Sequence, residues 1–303
     1  MDAFAAARLA VGAGLLSVAA IADVRTRRVA DPLWIVLGTV GLMLLVVQLL
    51  TSSAPVEAFG LVAAAAILFY AIFYGRPLFD TDGFHPRPWR IGMFGLAGLL
   101  LTWSASSALV RDLGMPSYPQ FLSMPIMVLV YQGFYQMRLL HGGADAKALI
   151  ALTLLLPTYP DGSPFPLVTA DPRIGPAMQL LFPFSLVILV DTALLYLAVP
   201  LVILSFNVSR GDRQLPEALV GYRVDLDRLP RNVWLMERID DRGAHVLVLL
   251  PSRGRDQTRE AERLQGAGVK RVWVQPKIPF MVPLLGGFLM AFFVGNLLLL
   301  LFP

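Results

Sequence analysis

Cysteine is absent from the 303 residues, which excludes disulfides, thiolate nucleophiles and cysteine-held metal centres. Histidine is scarce: His85, His141 and His245 stand far apart at no ligand spacing, so no metal is expected. No glycine-rich cofactor loop is visible either, and no cofactor is expected. Charge is also sparse. Asp, Glu, Lys and Arg make up only 15% of the chain against 56% hydrophobic residues, with a mean hydropathy of +0.66, a balance far from that of soluble globular domains. The composition predicts an α-helical polytopic membrane protein.

A span needs about 20 mostly apolar residues. Such windows occur at 4–22, 33–50, 58–74, 91–110, 121–137, 179–206 and 278–302, and 146–156 adds a shorter one, predicting about eight transmembrane helices. The first is read as a membrane helix and not a cleaved leader, because its basic cluster follows the apolar run. With the N-terminus outside, the predicted cytoplasmic loops hold Arg25, Arg27, Arg28, Arg76, Arg87, Arg90, Arg138 and Lys147, and the outer loops only Arg111 and Arg173. That bias satisfies the positive-inside rule. It places both termini outside and puts Asp23 and Asp145 together at the cytoplasmic face.

Residues 207–277 differ in kind, holding 14 of the 25 basic and 10 of the 21 acidic residues. Alternating patterns predict strands over 232–238, 245–250 and 269–275 with a helix over 256–264. The expected organisation is a helical catalytic core at 1–206, a small cytoplasmic α+β domain at 207–277 and a final span at 278–303. Acids are mixed among its arginines, so no nucleic-acid partner is expected; the lipid bilayer is.

An ionisable residue at a bilayer boundary is costly and therefore a functional candidate. Asp23 ends the first span before an arginine-rich connection. Asp145 follows Gly142, Gly143 and Ala144 at the start of an apolar run; the two glycines allow close backbone approach there. Taken singly, each acid could be a solvated or helix-terminal residue. As a pair on one face they suit peptide hydrolysis: one carboxylate deprotonates water while the other, protonated, delivers its proton to the carbonyl oxygen. Lys147 is expected to anchor its helix or tune the acids, and His141 to be a surface residue or an assistant in proton transfer. Asp31 before Pro32 reads as an N-cap. The loop 75–90, with Asp80, Asp82 and His85, reads as a surface connection. Asp191, inside an apolar run, should face the bundle interior in a structural or substrate-contact role.

Three stretches carry a resemblance: Asp23 with its connection to Asp31 and Trp34; Gly142-Gly143-Ala144-Asp145-Ala146-Lys147; and Lys277-Ile278-Pro279-Phe280-Met281-Val282-Pro283-Leu284. Together they resemble an archaeal preflagellin (prearchaellin) peptidase of the type IV prepilin peptidase family, a GxGD-type aspartic protease. The resemblance implies that Asp23 and Asp145 are catalytic, with Gly142, Gly143 and Lys147 supporting. It implies archaellin or type IV pilin precursors as substrates, cut on the cytoplasmic side. Alanine stands before the acid, and the two aspartates are farther apart in sequence than in shorter members. Methylation of the new N-terminus, found in bacterial relatives, is not carried over. The competing class is a proton- or cation-coupled transporter using intramembrane acids.

Overall fold

The structure is a computed structural model describing residues 2–301 apart from 75–78, 81–82, 111–114, 116, 141, 161–164, 170–172, 174, 231, 241, 250 and 252–255. The described helices are α1 (Ala3–Thr26), α2 (Asp31–Thr51), α3 (Val56–Phe73), α4 (Pro88–Val110), α5 (Tyr118–Gln136), α6 (Gly143–Leu155), α7 (Gly175–Leu181), α8 (Phe184–Leu197), α9 (Val199–Ser209), α10 (Glu217–Val220), α11 (Gln257–Gly266) and α12 (Met281–Phe293). The strands are β1 (Phe79–Asp80), β2 (Gly83–Phe84), β3 (Tyr222–Asp225), β4 (Val233–Leu235), β5 (Glu237–Ile239), β6 (His245–Leu247) and β7 (Arg271–Pro276). They form two compact units: Met1–Ala193 with Phe280–Pro303, and Leu194–Pro279.

Five helices are long and apolar enough to cross a membrane: α1, α2, α3, α4 and the run Phe184–Ser209 formed by α8 and α9. The other expected spans correspond to α5, to the 13-residue α6 and to α12. The last window is interrupted. Gly295, at φ +99°, stands between α12 and a 3-10 turn at Leu297–Leu301, so the apolar composition of 278–302 does not translate into one continuous helix.

The helical unit is built around α6. From Ala148 to Leu155 every one of its residues is buried, as expected for a helix that is apolar on all sides and must be enclosed. It packs chiefly on α2 and α5, with α1 and α3 also alongside. The approach of α2 is closest at Gly41, where a Cβ would lie 2.6 Å from Leu155 Cα and N; any side chain there would push the backbones apart. By contrast α4 buries only Ala97 and Ser104, and leaves Leu96, Leu99 and Trp103 on an outward apolar face suited to lipid. Polar side chains also pair inside this unit: Tyr131 of α5 donates from Oη to Ser185 Oγ of α8 at 3.2 Å. Arg8 of α1, 5% exposed, donates from Nη2 to Gln48 Oε1 of α2 at 2.8 Å, which supplies the partner that a membrane-embedded cation requires.

In the second unit β7 is the central strand of an antiparallel sheet ordered β3-β7-β4. Its Val272, Trp273 and Val274 are all buried because both faces are covered. Val272 and Val274 join Leu226, Val233, Leu235 and Leu264 on one side, and Trp273 meets Ala218 and Met236 on the other. The strand expected over 232–238 is divided between β4, in this sheet, and β5, which pairs with β6. β3 was not expected: its four residues, Tyr-Arg-Val-Asp, are too short and too charged to stand out. Glu237 is buried, accepting the Trp273 N–H at 2.7 Å and facing His245 Nε2 at 2.6 Å.

Gly41→Leu should lower the thermal unfolding temperature of the detergent-solubilised protein, with a cost of about 1–3 kcal/mol or more from overpacking. Gly95→Leu, on α4 where a Cβ meets nothing within 4 Å, should leave it nearly unchanged. Equal effects would show that α2 and α6 are not in this backbone contact.

Candidate active site

Asp23 lies in the last turn of α1, where the helix ends on Arg27 in the left-handed conformation at φ 56° and the Arg27 N–H closes back on the Asp23 carbonyl at 3.0 Å. The connection to α2 is short, so Asp23 stands at the same end of the unit as Asp31. The Asp23 side chain is half-buried. Its Oδ2 accepts the backbone N–H of Met281, the first residue of α12, at 3.1 Å.

Asp145 lies in the first turn of α6, where its N–H bonds the Gly142 carbonyl at 3.1 Å. A Cβ on Gly142 would meet the Asp145 carboxylate, 2.6 Å from Cγ, so glycine at 142 leaves room for this folded-back conformation, and a larger residue would turn the carboxylate aside. A Cβ on Gly143 would meet Tyr135 Oη at 3.6 Å, an ordinary contact. Neither glycine is pressed against another segment's backbone.

The two acids stand at the same end of the helical unit: Asp23 lies in the last turn of α1, shortly before Asp31 opens α2, and Lys147, two residues after Asp145 on α6, is bonded to Asp31. Both carboxylates are half-buried, so water can reach them.

Lys147 and Asp31 differ from their sequence readings. Lys147 Nζ lies 2.7 Å from both Asp31 oxygens and 5.4 Å above the Phe73 ring, so it forms an ion pair with Asp31. Asp31 is itself the first residue of α2 and makes no capping bond; Ala30 occupies the N-cap position. The pair instead ties α2 to α6 at the end that carries Asp23 and Asp145. Arg90 of α4 works at the same end, donating to the Ala71 and Tyr74 carbonyls at 2.7 and 3.0 Å and completing the C-terminus of α3. His141, Asp82, Arg76 and Arg111 lie outside the described residues.

Asp191 belongs elsewhere. It is fully buried, its Oδ1 accepts the Leu297 N–H at 3.4 Å, and its Oδ2 has no hydrogen-bond partner among the described residues. Leu297 lies beyond the far end of α12 from Met281, so Asp191 and Asp23 are separated by roughly 20 Å along that helix. The acids nominated from sequence thus divide into an end group, Asp23, Asp145 and Asp31, and one interior residue. The described residues contain no cluster of three or more His, Asp or Glu side chains able to hold a metal.

Two parts of the chain match known proteins. Residues 213–297 match the family model described as Archaeal Peptidase A24 C-terminus Type II. A preflagellin peptidase from Methanocaldococcus jannaschii is 25% identical over 174 residues, covering 56% of this chain and 69% of the relative. Both matches are to peptidases. The α12 N-terminus that meets Asp23 lies within the matched C-terminal region. The matches do not favour the transporter alternative.

The Asp31–Lys147 pair is part-exposed, at 51% and 27% for the two side chains, so its worth is modest. A double-mutant cycle of Asp31→Asn and Lys147→Met on thermal unfolding should return a coupling of about 0.2–1 kcal/mol. A coupling of zero would mean that α2 and α6 are not tied there.

Proposed function

We propose that the chain is a membrane aspartic endopeptidase whose water-activating pair is Asp23 and Asp145. The observation that supports this reading is that two half-buried carboxylates stand at the same end of the helical unit, one on α1 and one on α6. In the ionised form one carboxylate takes a proton from a water held between them, and the water oxygen attacks the peptide carbonyl carbon. The other, protonated, gives its proton to the carbonyl oxygen; collapse of the tetrahedral species expels the amine, which recovers a proton from the pair. Gly142 leaves room for the Asp145 carboxylate, and Lys147 holds α6 against α2 through Asp31.

The substrate is an archaellin or type IV pilin-like precursor, whose short N-terminal leader is removed at the cytoplasmic side of its hydrophobic segment. The relative named a preflagellin peptidase supports that substrate class, and the concentration of arginine and lysine in alternate loops supports the cytoplasmic side. In this reading both termini lie outside, about eight helices cross the bilayer, and residues 207–277 form the cytoplasmic domain.

Purified detergent-solubilised protein should shorten a precursor at its leader. Asp23→Asn and Asp145→Asn, which keep the size of the side chain and one acceptor oxygen but not its ionisation, should each lower the cleavage rate by at least about a hundredfold while unfolding at the wild-type temperature. Normal cleavage by either folded variant would remove that aspartate from the pair.

A further inference from the structure

The C-terminal region returns to the acid on the first helix. Met281 is the first residue of α12, only four residues beyond β7, which ends at Pro276, and its N–H is bonded to Asp23 Oδ2 at 3.1 Å across 258 residues of sequence. The N–H groups of a helix's first turn have no partner within the helix. Here one of them is taken by Asp23, and Pro283, third in the helix, carries no N–H to satisfy. The Met281 side chain is 1% exposed, so the start of α12 is anchored. Phe288, one helical layer further on, fills the space beside Gly12 of α1, and the two helices stay in contact along their length.

From this geometry we infer that the Met281 backbone N–H is a positioning group for Asp23, and that the start of α12 is therefore part of the catalytic apparatus. The inference rests on the peptidase reading above. Because the N–H occupies Oδ2, it fixes the plane and rotamer of the carboxylate and leaves Oδ1 for the water. Several other ionisable groups share this end of the unit: Arg25 on α1, Arg27 and Arg28 in the connection, Asp31 on α2, and Asp145 and Lys147 on α6. None of their side chains supplies the bond that Met281 makes. A carboxylate free to rotate on χ1 and χ2 would spend part of its time out of line for proton transfer, and misplacement of a reacting group lowers the turnover number more than the binding of substrate.

Proline is favoured at the first position of a helix; because Phe280, the residue before it, lies in the αR region that a following proline disfavours, the unfolding temperature of each proline variant is measured beside its turnover. Met281→Pro removes both the N–H and the buried side chain; Met281→Ala removes only the side chain. Precursor cleavage by Met281→Pro should show a kcat about ten- to a hundredfold below that of Met281→Ala, with KM within about twofold, and Met281→Leu should restore wild-type turnover. Val282→Pro, which spares the Met281 donor, should match Met281→Ala. A readout independent of cleavage is hydrogen exchange at the Met281 amide, which should quicken about tenfold in Asp23→Ala. Equal kcat for Met281→Pro and Met281→Ala would overturn the positioning role, as would unchanged exchange in Asp23→Ala. A parallel loss in Val282→Pro accompanied by a lowered unfolding temperature would reduce the effect to helix support and overturn it too. Exchange that responds as expected while wild type fails to cut any precursor would instead overturn the peptidase reading.

Discussion

The enclosure of α6 governs the rest of the helical unit. Eight consecutive residues, Ala148 to Leu155, are buried, with neighbours closed around them; α2 does so by placing Gly41 against the Leu155 backbone. At 13 residues α6 is shorter than the usual span, and its N-terminal turn, with Asp145 and Lys147, meets the start of α2 through Asp31.

Charges at that end act largely as mechanical ties. Lys147 joins α6 to α2 through Asp31, Arg90 completes the carbonyls that end α3, and Asp23 receives the first N–H of α12. Each bond links elements that sequence order keeps apart, and each satisfies a group that would otherwise be costly near hydrocarbon. At the far end the same logic produces the Arg8–Gln48 bond and the Asp191 contact with Leu297. The family match over residues 213–297 takes in both the sheet around β7 and α12, so the region distinguished by that match includes the helix that touches Asp23.

Composition alone was enough to recognise a multi-pass helical protein and a polar C-terminal insertion, because hydrophobic runs and charge density are properties of short windows. Asp23 and Asp145 stood out as candidates for the same reason: an ionisable residue at the edge of an apolar run is conspicuous without any knowledge of its neighbours. The pairing of Asp31 with Lys147 was not legible because it spans 116 residues, and each residue has a reasonable local explanation, as an N-cap and an interfacial anchor. β3 stayed hidden since four half-polar residues acquire strand structure only from their pairing with β7.

The sequence by itself determined where the long apolar helices lie, where charge concentrates near the C-terminus and which carboxylates sit at the ends of apolar runs, since each follows from local composition. Tertiary structure alone decided that Asp23 and Asp145 stand at one end of the unit, the pairing of Lys147 with Asp31, the distance of Asp191 from that end and the bond from Met281 to Asp23. These depend on how helices remote in sequence pack, and that is set by close contacts such as Gly41 on Leu155, which no window of the sequence contains.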